Sequence, residues 1–181
     1  MDASNQYAVI LADPPWNWKA YSSAGEKRSA KRHYEVLEQG DFCDLPVSSV
    51  TTDDCVLFLW CINSMLPNGL QLIDDWGFTF KTIGFVWIKE NSKADTLFMG
   101  LGYHTRQNAE ICLIGTKGKP KRRAKDVHQV IISKRREHSR KPDEVYERIE
   151  RLYPGPYLEM FSRTDRNGWD QWGDQVGRWT A

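Results

Sequence analysis

Tyr7-Ala8-Val9-Ile10-Leu11-Ala12-Asp13-Pro14-Pro15-Trp16 is an apolar run closed by an acid, two prolines and a tryptophan. The run reads as a buried β-strand. In an open α/β sheet ligands bind beyond the carboxyl ends of the strands, which is where the Asp13-Pro14-Pro15-Trp16 tetrad falls. The Asp13 carboxylate can hold a donor group. Pro14 and Pro15 lack N–H groups and have fixed φ, so the segment is stiff and its carbonyls are expected to be free to accept. Trp16 offers a flat face. Such a tip can stack a planar ring and accept hydrogen bonds from its amino group, as methyl transfer onto an amine requires.

Outward from this stretch, the 181 residues are enough for one domain, 1–181, with a real core. With 25 Lys+Arg against 24 Asp+Glu, net charge makes no case for nucleic acid. Local charge does. Lys117, Lys119, Lys121, Arg122, Arg123 and Lys125 form one basic run; Lys134, Arg135, Arg136, Arg140 and Lys141 form another. Each follows a strand candidate, as Asp13 does. In a parallel sheet both are expected on one rim with the acidic centre, where they would grip phosphates; the bland alternative is a solvated face. Cys43, Cys55, Cys61 and Cys112 have no metal-ligand spacing and read as buried thiols of a reducing compartment. The four histidines are scattered, so no metal is expected. The amino terminus shows no signal peptide and no run is long enough to cross a bilayer, so a cytoplasmic protein is expected.

The pattern alternates strands with helices. Val56–Cys61, Phe78–Lys89, Glu110–Gly115, Gln129–Ile132 and Tyr157–Phe161 read as strands. A helix is expected after Asn63 or Ser64 as its cap, with Pro67 in its first turn, Leu66, Leu70, Ile73 and Trp76 on its apolar face, and Gly77 as its stop. A second helix begins at Pro142, with Val145, Ile149 and Leu152 on one face. Residues 17–33 and 91–108 read as long loops, and loops of that length are often functional. The prediction is a mostly parallel sheet flanked by helices. Trp60, Trp76 and Trp87 are assigned to core packing, and Trp169 and Trp172 to folding the tail back.

Taken together, these motifs resemble the adenine-N6 methyltransferases related to the seventy-kilodalton catalytic subunit of the eukaryotic messenger-RNA adenosine methylase. The tetrad after a strand matches the family's catalytic motif. Phe58-Leu59-Trp60, Trp87-Ile88-Lys89, Glu110 with Cys112-Leu113-Ile114-Gly115, His138-Ser139-Arg140-Lys141-Pro142-Asp143-Glu144, and the closing Glu159-Met160-Phe161-Ser162-Arg163, Gly168-Trp169 and Trp172-Gly173-Asp174-Gln175 match in order along the chain. The resemblance implies a Rossmann-like, S-adenosylmethionine-dependent methyltransferase fold, permuted so that the catalytic motif precedes the main cofactor-binding end. It implies that Asp13, Pro14, Pro15 and Trp16 are catalytic and that Ile10, Asp13, Lys141, Arg163, Arg166, Asp174 and Gln175 bind the cofactor. Lys141 would take its carboxylate, and Arg163 with Asp174-Gln175 its ribose. Arg166 and Asp174 stand where the family usually has Asn; a carboxylate can still accept from a ribose hydroxyl. No acidic strand-end segment precedes the catalytic strand, and the chain resembles a minimal bacterial or phage-type version acting on DNA.

On this reading Asp13 and the Pro14 carbonyl accept the two N–H bonds of the adenine amine, and Trp16 stacks on a base flipped out of any duplex. Lys19, Lys27, Arg28, Tyr34, Arg106, Arg122, Arg123, Arg135 and Arg136 are the candidate substrate contacts, Tyr34 being equally a core residue. A homodimer is expected from the paired subunits of relatives. RNA as the substrate, cytosine-N4 transfer and a non-catalytic nucleic-acid-binding subunit are the alternatives; the intact tetrad and Lys141 speak for activity.

Overall fold

A computed structural model describes residues 5–16, 42, 44–137, 139–177 and 179–180. Lys19, Lys27, Arg28, Tyr34, Cys43 and His138 lie outside the described residues, and so does the expected loop over 17–33.

Among the described residues the chain builds one seven-stranded sheet in the order β5-β3-β4-β2-β1-β6-β8. Its strands are β1 (Tyr7–Ala12), β2 (Thr51–Cys61), β3 (Thr79–Glu90), β4 (Glu110–Lys117), β5 (Val130–Lys134), β6 (Tyr157–Met160) and β8 (Trp169–Trp172). A separate two-stranded ribbon pairs β7 (Thr164–Asp165) with β9 (Trp179–Thr180). The pairs β1–β2, β1–β6, β3–β5 and β6–β8 are parallel, whereas β4 is antiparallel to both β2 and β3. The expected mostly parallel sheet is therefore present with one reversed strand. β4 can reverse because a hairpin-type connection, residues 91–109, returns the chain without a crossover helix.

β1 and β2 lie in the middle and are buried on both faces, as near-continuous apolar strands must be. Strand alternation splits their side chains between two cores. Ile10, Ala12, Leu57 and Leu59 face α1 (Leu66–Asp75), together with Leu72, Ile73 and Trp76. Val9, Leu11, Val56, Phe58 and Trp60 face α2 (Glu144–Leu152), together with Val145, Tyr146 and Ile149. Each fully buried aliphatic side chain contributes on the order of 1.5–3 kcal/mol.

The helices follow the sequence pattern with two corrections. α1 has no side-chain cap; Asn63 instead donates to Ala109 O at 3.2 Å, and a 3-10 turn over Asn63–Met65 leads into the helix. Leu70 is exposed, and Leu72 takes the core position. Gly77 stops α1 with φ of +79°, a conformation that a side chain disfavours. Cys55, Cys61 and Cys112 are buried and unbridged, and burial pushes the Cys55 and Cys61 thiols up to about 12.

Candidate active site

The carboxyl end of β1 delivers Asp13 into a cleft. Positions 9 and 11 point to the α2 face, and Asp13 continues that parity, so its carboxylate emerges beside Leu11 and Trp60. Ile10 has the opposite parity. It is fully buried in the α1 core and lines neither part of the cleft, which corrects its expected place at the cofactor's base.

Lys141 meets Asp13. The end of β5 and the turn before α2 bring its Nζ to 2.7 Å from Asp13 Oδ2 and 3.4 Å from Glu110 Oε2. Glu110, the first residue of β4, also pairs with Lys89 near the end of β3. The result is a partly buried chain of alternating charge, Lys89–Glu110–Lys141–Asp13. Burial opposes charge on the Glu110 carboxyl, but Lys141 and then Lys89 overcome it and hold the group at about 2. Burial likewise opposes charge on Lys141, yet Asp13 and Glu110 raise its ammonium well above the ordinary lysine value. Both groups stay charged at neutral pH.

A narrow part of the cleft lies over β6. Glu159 is buried and accepts the Tyr146 hydroxyl at 2.7 Å and the Ser162 hydroxyl at 3.0 Å; burial raises its carboxyl. Arg163 lines the same recess. Ser139 and Phe161, on either side of it, adopt φ of +67° and +62°. Two non-glycine residues in the left-handed region at one recess store of order 1–3 kcal/mol of strain each, which concentrates where geometry serves a ligand.

A wider part, about 580 Å³, opens between the tetrad, the 98–109 segment and Arg135–Lys141. Asn108 clamps that segment to β3: its amide accepts from Lys89 N at 2.8 Å and donates to Lys89 O at 2.8 Å. Phe98 packs beneath Arg135, whose guanidinium stacks 3.5 Å from the ring centre. Exposed Arg106 and half-exposed Arg136 also line the wall, and Arg136 pairs with Asp143 at 2.5 Å.

Several expected roles change here. Trp16 is buried, donates Nε1–H to Trp60 O at 2.9 Å and packs edge-on to Phe42, so its ring belongs to the core and does not stack on a base in this arrangement. The Pro14 carbonyl is not free: it accepts Trp16 N–H at 2.8 Å. Trp60, assigned to the core, lines both parts of the cleft, lies beneath Lys141 at 5.5 Å and has a buried indole N–H with no acceptor among the described residues. Trp87 also reaches the wide part, with its N–H held by Ser133. Trp169 and Trp172 do pack the tail: Trp169 is buried and donates to Glu150, and Trp172 lies edge-on to Phe161.

Arg166 pairs with Asp143 at 2.9 Å and covers the Tyr146 ring, outside the cleft wall. Asp174 and Gln175 sit in the turn after β8 and line neither part of the cleft. Arg122 and Arg123 are on the opposite rim, because reversed β4 ends at Lys117 across from Cys55, the early part of β2. The single basic rim expected from the sequence is thus two rims, and only Lys134–Lys141 shares one with Asp13. Sequence reasoning quoted Glu110 and Lys89 only as motif members. Their isolated charge inside apolar strands is the signal for the charged network.

This is the fold of the Rossmann-like, S-adenosylmethionine-dependent methyltransferases, with an acidic tip on a central strand and the remaining cofactor-side strands later in the chain. The chain belongs to the MT-A70 family, whose description, MT-A70, matches residues 7–175. It is 33% identical over 189 positions to the Type II methyltransferase M.MunI of a Mycoplasma species, covering 94% of this chain and 78% of that protein. It is 30% identical to the N(6)-adenosine-methyltransferase MT-A70-like protein of Arabidopsis thaliana, over 97% of this chain and 24% of that protein. Against the human N(6)-adenosine-methyltransferase catalytic subunit METTL3 the identity is 29%, over 94% of this chain and 28% of that protein. The chain thus spans about a quarter of the plant and animal relatives it matches.

The donor set suits the amino-acid end of S-adenosylmethionine. Lys141 and Arg163 bring positive charge to the cleft, Asp13 brings a carboxylate, and the Trp60 indole leaves a buried donor unanswered. Among the described residues no cluster of three or more His, Cys, Asp or Glu is placed to hold a metal, and no helix is long and apolar enough to cross a membrane.

Proposed function

We propose that this chain methylates the exocyclic N6 of adenine in DNA, at a specific sequence, with S-adenosylmethionine as donor. Methylation of the adenine amine in nucleic acid is the chemistry of the family; the choice of DNA is our own. The observation that carries the reading is the Asp13–Lys141 pair at the tip of β1, in a cleft whose rim carries Arg106, Arg135 and Arg136. DNA is favoured because the Type II methyltransferase is matched over most of its length and the adenosine methyltransferases over about a quarter of theirs.

S-adenosylmethionine supplies an electrophilic methyl group when bound. The adenine amine is a weak nucleophile because its lone pair is delocalised into the ring. Asp13 Oδ accepts one amine N–H. The Pro14 carbonyl, with one lone pair taken by Trp16 N–H, offers the other for the second. Accepting both hydrogens favours a pyramidal nitrogen and frees its lone pair. Lys141 keeps Asp13 oriented until substrate arrives, and Glu110 holds Lys141 in place. Asp13 Oδ or water then takes the proton. The contribution of these residues is positioning and preorganised charge. Arg106, Arg135 and Arg136 would meet phosphates, and Lys19, Lys27, Arg28 and Tyr34 remain part of the proposal. A homodimer is proposed with it, checked by light scattering at working concentration.

Tritiated methyl transfer to unmethylated duplex DNA, single-stranded DNA and RNA, followed by nucleoside analysis, tests the reading. Label is expected in N6-methyldeoxyadenosine, and Asp13→Ala should lower it by about a thousandfold. Label confined to RNA would overturn the DNA assignment.

A further inference from the structure

Four cations of the far rim take no part in the cleft. Lys121, Arg122, Arg123 and Lys125 are exposed and pair with no carboxylate among the described residues. The nearby acids are engaged elsewhere or stand apart. Asp54 accepts Lys119 N–H at 2.7 Å, Asp126 binds Arg151 at 2.5 Å, and Asp53 is exposed at the rim. In a chain of net charge +1, this is a strong local excess.

The segment that carries them is irregular but pinned. Lys119 N donates to Asp54 Oδ1 at 2.7 Å and Arg123 N to Leu152 O at 2.7 Å, and just beyond the segment Gln129 donates to Ile83 O at 2.7 Å. Gly118 turns into it with φ of +62°, where an added Cβ would lie 2.2 Å from Asp54 Oδ1. A fixed backbone lowers the ordering cost when its cations meet an anion. Arginine forks suit phosphate oxygens in particular.

The spacing also fits one extended polyanion. β4 runs from Ile111, opposite Cys61 at the site end, to Lys117, opposite Cys55. At roughly 3.4 Å per residue the rims are about 20 Å apart, or about six base pairs of duplex. Edge strand β5 lies at the site end, Val130 pairing with Val86 and Val86 with Ile111, and leads into the second basic run with Val130 and Ile132 47% and 58% exposed along it.

We propose that the 118–125 segment is a second nucleic-acid contact, gripping the phosphate backbone of the bound molecule about six base pairs from the target base. This rests on the nucleic-acid part of the proposed function and is separate from the catalytic cleft.

The test is fluorescence anisotropy with labelled duplexes of about 8 and about 24 base pairs, at several salt concentrations, on the whole chain. The variant replaces Lys121, Arg122, Arg123 and Lys125 with Ala. On the long duplex it should flatten the log Kd against log salt slope by about 3 and weaken binding on the order of a thousandfold near 0.1 M salt, since each phosphate contact adds about 0.9 to the slope. The short duplex should bind as before. The milder pair Arg122→Gln and Arg123→Gln should show about half the effect, at an unchanged melting temperature, which removes misfolding as the cause. An unchanged long-duplex slope in the quadruple variant overturns the second contact alone. The same flattening seen with RNA and not with DNA keeps the contact and removes the DNA assignment. Failure of the wild-type chain to bind either nucleic acid overturns both.

Discussion

The two basic runs look alike in sequence and differ in almost every physical respect. In Lys134–Lys141 four of the five cations are answered by carboxylates, Lys134 by Asp95, Arg136 by Asp143, Arg140 by Glu137, and Lys141 by Asp13 and Glu110, while Arg135 lies over the Phe98 ring. In Lys117–Lys125 the four outermost cations meet no carboxylate among the described residues. The first run shapes a site, and its charges hold other charges in place. The second presents charge outward. A count of lysines and arginines cannot separate these roles; carboxylate neighbours brought in from other strands do.

The largest effect that would sharpen this contrast is on stability. Lys141→Met leaves the Asp13 and Glu110 carboxylates without their shared cation in a partly buried setting, and should cost about 3 kcal/mol in a urea melt. Lys125→Met on the far rim should change the same melt by less than about 0.5 kcal/mol. Equal effects at the two positions would erase the distinction.

Acid gives the next effect. The Glu110 carboxyl is held at about 2, below its ordinary value of 4.5. A depressed carboxyl stabilises the fold above its unfolded pKa and loses that contribution as the pH falls through its folded one. Unfolding free energy should therefore drop by up to about 3 kcal/mol between pH about 4.5 and about 2. Glu110→Gln should remove that part of the pH dependence, read from melts across the same range. A smaller effect is that of Trp16→Phe. It removes one buried hydrogen bond to the Trp60 carbonyl and should cost about 1 kcal/mol in the melt, with KM for nucleic acid unchanged. A raised KM at unchanged stability would return Trp16 to a stacking role.

Local chemistry was legible in the sequence wherever it acts locally. The run Tyr7–Ala12 became the central strand, Gly77 ended α1, and Val145 and Ile149 are buried on α2 as their spacing predicts. The acidic tip and Lys141 meet, although 128 positions separate them. The direction of β4 was not legible, because an apolar run carries no arrow. That one unknown moved Arg122 and Arg123 to the other rim. Ile10 failed for a different reason: alternation fixes which residues share a face, but not which face the ligand uses. Trp16 lines the wide cleft but is seated deeper than the sequence suggests, because a large aromatic beside a core is drawn into it and its N–H meets a backbone carbonyl there.

The reversed β4 has a practical consequence. β3 and β4 are neighbours joined at the site end by residues 91–109, so no crossover must be preserved between them. Doubling the length of such a connection costs only about 0.6 kcal/mol in closure entropy. Asn108 anchors the return to β3, and the tip beyond it makes few demands on the register. This stretch is a cassette. Transplanting the corresponding span from another family member should exchange the wall of the wide cleft while leaving Asp13, Glu110 and Lys141 in place, which makes it the natural point for re-engineering what the protein selects.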